Sequence, residues 1–101
     1  MAIYNQVRWV GVKPTVKTAQ TPAKKVSIGT SSTEILAAND NRTSFLIRNT
    51  GSVPVYIRLG TGATVDDMLL EEGDILFCDD YTGTVEGIVA SGTGEVRVIE
   101  V

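Results

Sequence analysis

The chain has 101 residues and a formal net charge of −3, and this length suits one domain with a modest hydrophobic core. Hydrophobic residues make up 43% of the chain and charged residues 21%, as in ordinary globular proteins, which excludes a wholly disordered chain. Histidine is absent, which excludes the Ser–His and Cys–His nucleophile systems and most transition-metal sites.

Positive and negative charges are separated along the chain. Residues 1–25 contain no acid and carry a charge of +5, from Arg8, Lys13, Lys17, Lys24 and Lys25. The remaining residues carry four arginines against twelve acids, a balance of −8. A basic arm on an acidic body predicts an acidic partner for the arm: a neighbouring copy, another protein surface or a polyanion. The basic residues are sparse and have few aromatic residues between them, so no nucleic acid is expected as partner.

Residues 1–25 are predicted to form an extended arm. Pro14 and Pro22 disfavour a regular helix over residues 11–23, whereas residues 3–10 suit a short strand. Trp9 in that strand is either a plug of the core or an anchor in a partner's pocket. The first residues lack the basic-then-apolar pattern of a signal peptide, and no apolar run reaches the roughly 18 residues of a membrane span. We therefore expect folding in the cytoplasm and no membrane partner.

Residues 26–101 are predicted to form an all-β body. Short apolar segments alternate with turn residues every 8–12 residues, which is typical of a small antiparallel β-sandwich or a jelly-roll-like barrel. Residues 44–49 and 55–59 are predicted to form one hairpin, and residues 84–90 and 95–101 another. Residues 65–74 suit one helical turn or a short strand. The predicted core consists of Val26, Ile28, Ile35, Phe45, Ile47, Val55, Ile57, Leu59, Leu76, Val85, Ile88, Val96 and Val98.

The chemistry-bearing residues are interpreted mainly as structural. Three acidic pairs lie at residues 66–67, 71–72 and 79–80. They could bind Ca²⁺ or act as a glycosidase pair, with Asp66, Asp67, Asp79 and Asp80 as candidates, but a solvated loop rim is the favoured interpretation. Cys78, the only cysteine, is interpreted as a buried or half-buried small hydrophobe. No catalytic, cofactor-binding or metal-binding residue is predicted.

Three tyrosines leave a sugar-binding role open. Tyr4, Tyr56 and Tyr81 could stack on a carbohydrate, as aromatic residues do in β-sandwich carbohydrate modules. Their spread along the chain favours the alternative that they are residues at the edge of the core.

Residues 29–60 contain a series of short motifs: a Leu-Ala-Ala-Asn-x-x-Arg loop at residues 36–42, Asn-Thr-Gly at 49–51, Pro-Val-Tyr at 54–56, and Gly60. Together these motifs resemble a recurrent module of tailed-bacteriophage structural proteins. The resemblance continues through a turn at residues 70–73, Tyr-Thr-Gly at 81–83 and a closing Val-rich strand. It covers residues 26–101, and the basic arm is not part of it.

The resemblance implies a structural role on a virion. Modules of this type are similar to capsid decoration (cement), head-fibre and tail-associated domains, which implies a homotrimer or another symmetric homo-oligomer made in the bacterial cytoplasm. The expected function is non-enzymatic decoration of the capsid surface, with the major capsid protein as partner. The alternative is a tail- or fibre-associated module for virion assembly or host carbohydrate binding. Residues 3–10 are expected to add a strand to an adjacent subunit or to their own body's edge. The residues expected to contact a partner are Arg8, Trp9, Lys13, Lys17, Lys24 and Lys25.

Overall fold

The computed structural model describes residues 19–20 and 22–101. The expected partner-contacting residues Arg8, Trp9, Lys13 and Lys17, and the strand predicted at residues 3–10, lie outside the described residues. The described part contains eight strands: β1 (Lys24–Ile28), β2 (Thr33–Leu36), β3 (Ser44–Asn49), β4 (Val55–Leu59), β5 (Met68–Leu70), β6 (Ile75–Asp79), β7 (Val85–Ile88) and β8 (Gly94–Glu100).

The strands form two four-stranded antiparallel sheets that pack together. Sheet I has the order β1-β8-β3-β6, and sheet II has the order β2-β7-β4-β5. The prediction of an all-β fold is therefore confirmed. The chain changes sheet after every strand except β4, which is followed by its neighbour β5. This strand order is that of a jelly roll, a β-sandwich built from two Greek keys.

The core lies between the two sheets because each strand buries alternate residues. In β3, Phe45, Ile47 and Asn49 are buried, whereas Arg48 between them is exposed. In β4, Val55 and Ile57 are buried as predicted. The buried hydrophobic residues are Ile28, Ile35, Leu36, Phe45, Ile47, Val55, Ile57, Ala63, Leu70, Val85, Val89, Val96 and Val98.

Nine residues of the predicted core are confirmed, and two are wrong. Leu59 is exposed because it is the last residue of β4, where the chain turns away at Gly60 with a φ of 143°. Ile88 is only half-buried, because the alternation that buries Val85 and Val89 directs Ile88 to the outer face. Val26 and Leu76 are partly buried and pack against the core.

Both predicted hairpins are wrong. β3 pairs with β6 and β8, and β7 pairs with β2 and β4, so β3 and β4 lie in different sheets, as do β7 and β8. A glycine-containing loop predicts only that the chain reverses, and here the reversal crosses to the opposite sheet. The loop after β3 is fixed instead on β8, where the N–H groups of Thr50 and Gly51 donate to the Glu95 carbonyl at 3.1 and 3.2 Å. Of the two alternatives for residues 65–74, the structure has the short strand, β5.

Arg42 is buried among the loops at one end of the sandwich. Its guanidinium forms an ion pair with Glu100 at 2.7 Å and donates to the backbone carbonyls of Ala37, Tyr81 and Gly83. It also lies 5.3 Å from the centre of the Phe45 ring, within cation–π range. Arg42 therefore ties the β2–β3 loop to the β6–β7 loop and to the end of β8.

Asn49 has the same role at the other end. Its side-chain amide donates to the carbonyls of Val53 and Leu70 at 2.9 and 2.8 Å, and its Oδ1 accepts from the Gly51 N–H at 3.0 Å. A fully buried polar side chain is stable only when its hydrogen bonds are made, and here they join the β3–β4 loop to β5. Arg42 and Asn49, which both belong to the sequence motifs, thus have structural roles.

The first described residues run beside the end of β8. The N–H of Gln20 donates to the Glu100 carbonyl at 2.8 Å, and its side chain bonds Asn39 and Asn41. Lys24 and Lys25, expected in the arm, lie in β1, where they face Val98 and Arg97 of β8. Within residues 19–20 and 22–101, no helix is long and apolar enough to cross a membrane.

Candidate interaction surface

The outer face of sheet I carries an apolar row across three strands. Phe77 of β6 pairs with Leu46 of β3, which pairs with Ile99 of β8. Phe77 is 58% exposed, and Ile75, two residues before it on the same face, is 56% exposed. Large apolar side chains that lie together on a surface mark contact sites more often than isolated ones do.

A row of cations lies directly beside the apolar row. Arg48 of β3 is opposite Arg97 of β8, and Arg97 is opposite Lys25 of β1. All three side chains are exposed, and none forms an ion pair with a described residue. Like charges directly opposite each other destabilise a sheet by about 0.2–1 kcal/mol per pair, so this row is unfavourable in the isolated body. We call the two rows together the cation–apolar face.

A carboxylate near the cation row, that of Glu95, is engaged elsewhere. Glu95 lies two residues before Arg97 on β8 and opposite Ser27, and its Oε2 accepts a hydrogen bond from Thr50 Oγ1 at 2.9 Å. This bond directs the carboxylate toward the β3–β4 loop. The cations of the face are therefore left for groups from outside the described chain.

Sheet II differs because its outward arginine has a partner within the chain. Arg58 of β4 forms an ion pair with Asp67 at 3.1 Å. The β4–β5 loop, which contains Asp67, passes over this sheet, and the Thr64 N–H and Arg58 hold the pKa of Asp67 below its usual range. In the same way, Ser32 Oγ and the Gly62 N–H lower the pKa of Glu86 on β7. The outward arginine of sheet II is thus paired, whereas Arg48 and Arg97 of sheet I form no ion pair with a described residue.

Only part of this surface is predicted by the sequence. Among the expected contact residues that the structure describes, Lys25 lies in the cation row and Lys24 is exposed on β1 outside it. Arg48, Arg97 and Phe77 of the surface were not among the expected residues. Alternation within β3 and β8 could have placed each arginine on an outer face, but only the strand pairing brings them side by side.

The remaining candidates for chemistry have structural positions. Tyr81 packs against the core, and its hydroxyl donates to the Thr84 carbonyl at 2.8 Å. Cys78 is half-buried and packs against the core, as predicted. Tyr56 is half-buried on the outer face of sheet II between Leu69 and Ile88. In the described part of the chain, no group of three or more acidic or cysteine side chains is arranged to hold a metal ion.

In comparisons with known proteins, no family model, no curated protein and no solved structure matches the chain. The resemblance to phage structural modules therefore stays a prediction from the sequence motifs.

Proposed function

We propose that the protein is a non-enzymatic capsid decoration protein that binds the major capsid protein of an assembled phage head through the cation–apolar face. The observation that carries the proposal is the row of Arg48, Arg97 and Lys25 beside the exposed Phe77, in which no cation forms an ion pair within the described part of the chain. A surface of this composition gains the most binding free energy when a partner supplies both carboxylates and apolar groups.

A protein partner fits the charge of the body better than a nucleic acid does. Arg48 and Arg97 lie within residues 26–101, which carry −8 overall, and Lys25 directly precedes this range. Binding to a polyanion draws on many phosphate contacts at once, and the surrounding acids would repel its backbone. A folded protein partner with a few carboxylates opposite the cation row can bind the cation–apolar face without that repulsion.

The fold supports the proposal by analogy alone. Jelly rolls are common in viral capsid and lectin domains, but one fold hosts many functions. Together with the motif resemblance, it favours a virion-surface protein that binds as a homotrimer or another symmetric oligomer.

A sedimentation assay with capsids tests the proposal. The protein is mixed with mature capsids from a phage stock that lacks its gene, and the bound copies per shell subunit are counted. We expect saturable binding at a fixed stoichiometry and capsids that resist heat better. The double change Arg48→Gln/Arg97→Gln should weaken binding about thirtyfold or more, because removing one partner of a buried interfacial charge pair costs about 2–5 kcal/mol.

A matched control is available on sheet II. Arg58→Gln neutralises an outward arginine that is also exposed but whose partner, Asp67, lies within the chain, and it should leave capsid binding within about twofold. Equal loss of binding in the control and in the double variant would contradict a specific role for the cation–apolar face. Absence of capsid binding by the intact wild-type protein would contradict the proposed function itself.

A tail- or fibre-associated carbohydrate-binding module is the second candidate. The observation in its favour is Tyr56, placed between Leu69 and Ile88 on the outer face of sheet II, where an aromatic ring can stack on a sugar. This function predicts glycan-array binding that is lost in Tyr56→Ala and retained in Arg48→Gln/Arg97→Gln.

A further inference from the structure

The outer edge of β6 is an unprotected strand edge. Within the described residues, β6 pairs only with β3, so its other side is open. Its sequence, ILFCD, has no lysine or proline, and the structure shows no bulge in its pairing with β3. Free edges in native proteins are usually blocked by such features, because an open hydrophobic edge recruits further strands.

The backbone groups at this edge are oriented to accept another strand. The Asp80 N–H donates to the Thr43 carbonyl and the Asn49 N–H donates to the Asp74 carbonyl, so the even-numbered residues of β6 bond β3. Because these groups alternate along a strand, the N–H and C=O of Ile75, Phe77 and Asp79 point to the open side.

Acids lie at both ends of the open edge. Glu71 and Glu72 precede β6, and Asp79 and Asp80 end it; all four are exposed and none forms an ion pair with a described residue. A strand that binds this edge and has basic residues in or beside it could form ion pairs with these acids at both ends.

We propose that the open edge of β6 binds residues 3–10 of a second copy as an added strand. In that segment Ile3, Val7 and Trp9 alternate with polar neighbours, and the basic charge of residues 1–25 matches the acids of the edge. The nine residues 11–19 between the segment and Gln20 can span about 30 Å, enough to reach a neighbouring body.

Gln20 is fixed beside the β1 side of sheet I, three strand positions, or about 14 Å, from β6 of its own body. An arm that bound this edge of its own body would leave the protein monomeric, so the oligomeric mass distinguishes that arrangement from the proposed one.

The test uses the full-length protein without capsids, so its outcome is independent of the capsid-binding function. Sedimentation equilibrium over a range of concentrations should give an oligomer, with a mass at least twice the 10.8 kDa of one chain. Under the same conditions, the amides of Ile75, Phe77 and Asp79 should exchange slowly with solvent although they have no partner within the body.

Charge reversal identifies the contact. Arg8→Glu/Lys13→Glu and Glu71→Lys/Glu72→Lys should each weaken association at least about tenfold, and the four changes combined should restore it to within about threefold. Glu34→Lys, which reverses an exposed acid on β2 of the other sheet, is the control and should leave the mass unchanged. A mass of 10.8 kDa at all concentrations would overturn the proposal. An oligomer whose mass is unaffected by the charge reversals, and whose β6 edge amides exchange rapidly, would also overturn it.

Discussion

Replacing Arg42 with methionine should lower the free energy of unfolding strongly, because this one side chain joins several loops. The residue is 2% exposed, and its side chain bonds four groups from three separate segments: the β2–β3 loop, the β6–β7 loop and β8. Methionine retains the apolar volume beside Phe45 but makes none of these bonds. The carbonyls of Ala37, Tyr81 and Gly83 and the carboxylate of Glu100 then lose their donor.

The expected loss is about 3–5 kcal/mol, the cost of removing one partner of a buried ion pair. Glu100 is 18% exposed, so water can reach its carboxylate after the change, which places the loss near 3 kcal/mol. A domain of this size is stable by about 5–15 kcal/mol, so the variant should still fold in the cold. Its melting temperature should fall by at least about 12 °C, because 1 kcal/mol corresponds to about 4 °C or more.

Urea unfolding followed by far-ultraviolet circular dichroism measures this loss directly. Arg58→Met is the matched control, because Arg58 also forms a single ion pair but has a side chain that is 43% exposed; its loss should stay below about 1 kcal/mol. A loss below 1 kcal/mol in Arg42→Met, or equal losses in the two variants, would refute the view that Arg42 holds the loops together.

Four further predictions concern packing, charge and pH. Asn49→Ala should cost about 2–4 kcal/mol in urea unfolding, because it removes the donor to the carbonyls of Val53 and Leu70, whereas the Gly51 N–H retains the Glu95 carbonyl. Gly94→Ala should cost about 1–3 kcal/mol, since the new Cβ would lie 2.7 Å from a core valine, whereas Gly29→Ala, with open space around it, should differ from wild type by less than 1 kcal/mol. The carboxyl of Asp67 should titrate below 3.8 in an NMR experiment; its stabilising contribution is complete above that pH and lost as the pH falls through its lowered pKa, and a midpoint at or above 3.8 would contradict the Thr64 and Arg58 bonds. Arg97→Gln should raise the free energy of unfolding by about 0.2–1 kcal/mol while weakening capsid binding, and a destabilised variant would show that the cation row is favourable.

The sequence predicts the strands better than their pairing. Alternation in β3 and β4 placed Phe45, Ile47, Val55 and Ile57 in the core, since that signal lies within each strand. The two hairpins failed because a turn signal specifies a reversal and not the sheet that the next strand enters. The deciding contacts are long-range, such as the bonds from the loop after β3 to Glu95.

The candidate site was harder to predict for a related reason. Its arginines, at positions 48 and 97, are far apart in the chain and meet only because β3 pairs with β8. Arg42 and Arg48 are equally basic in the sequence, yet one is buried under loops and the other is exposed on a sheet. The sequence motifs marked Arg42 as a fixed feature of a module but carried no signal that distinguishes a structural arginine from a binding one.

The contrast between these two arginines separates the parts of the chain that stabilise the fold from the parts available for binding. Arg42 has a full set of internal partners, so its removal should cost stability without altering a surface. Arg48 and Arg97 form no ion pair with a described residue and face each other at an energetic cost that the isolated body bears. A partner's carboxylates would remove that cost on docking, and they would add affinity from charges already fixed in position by the sheet.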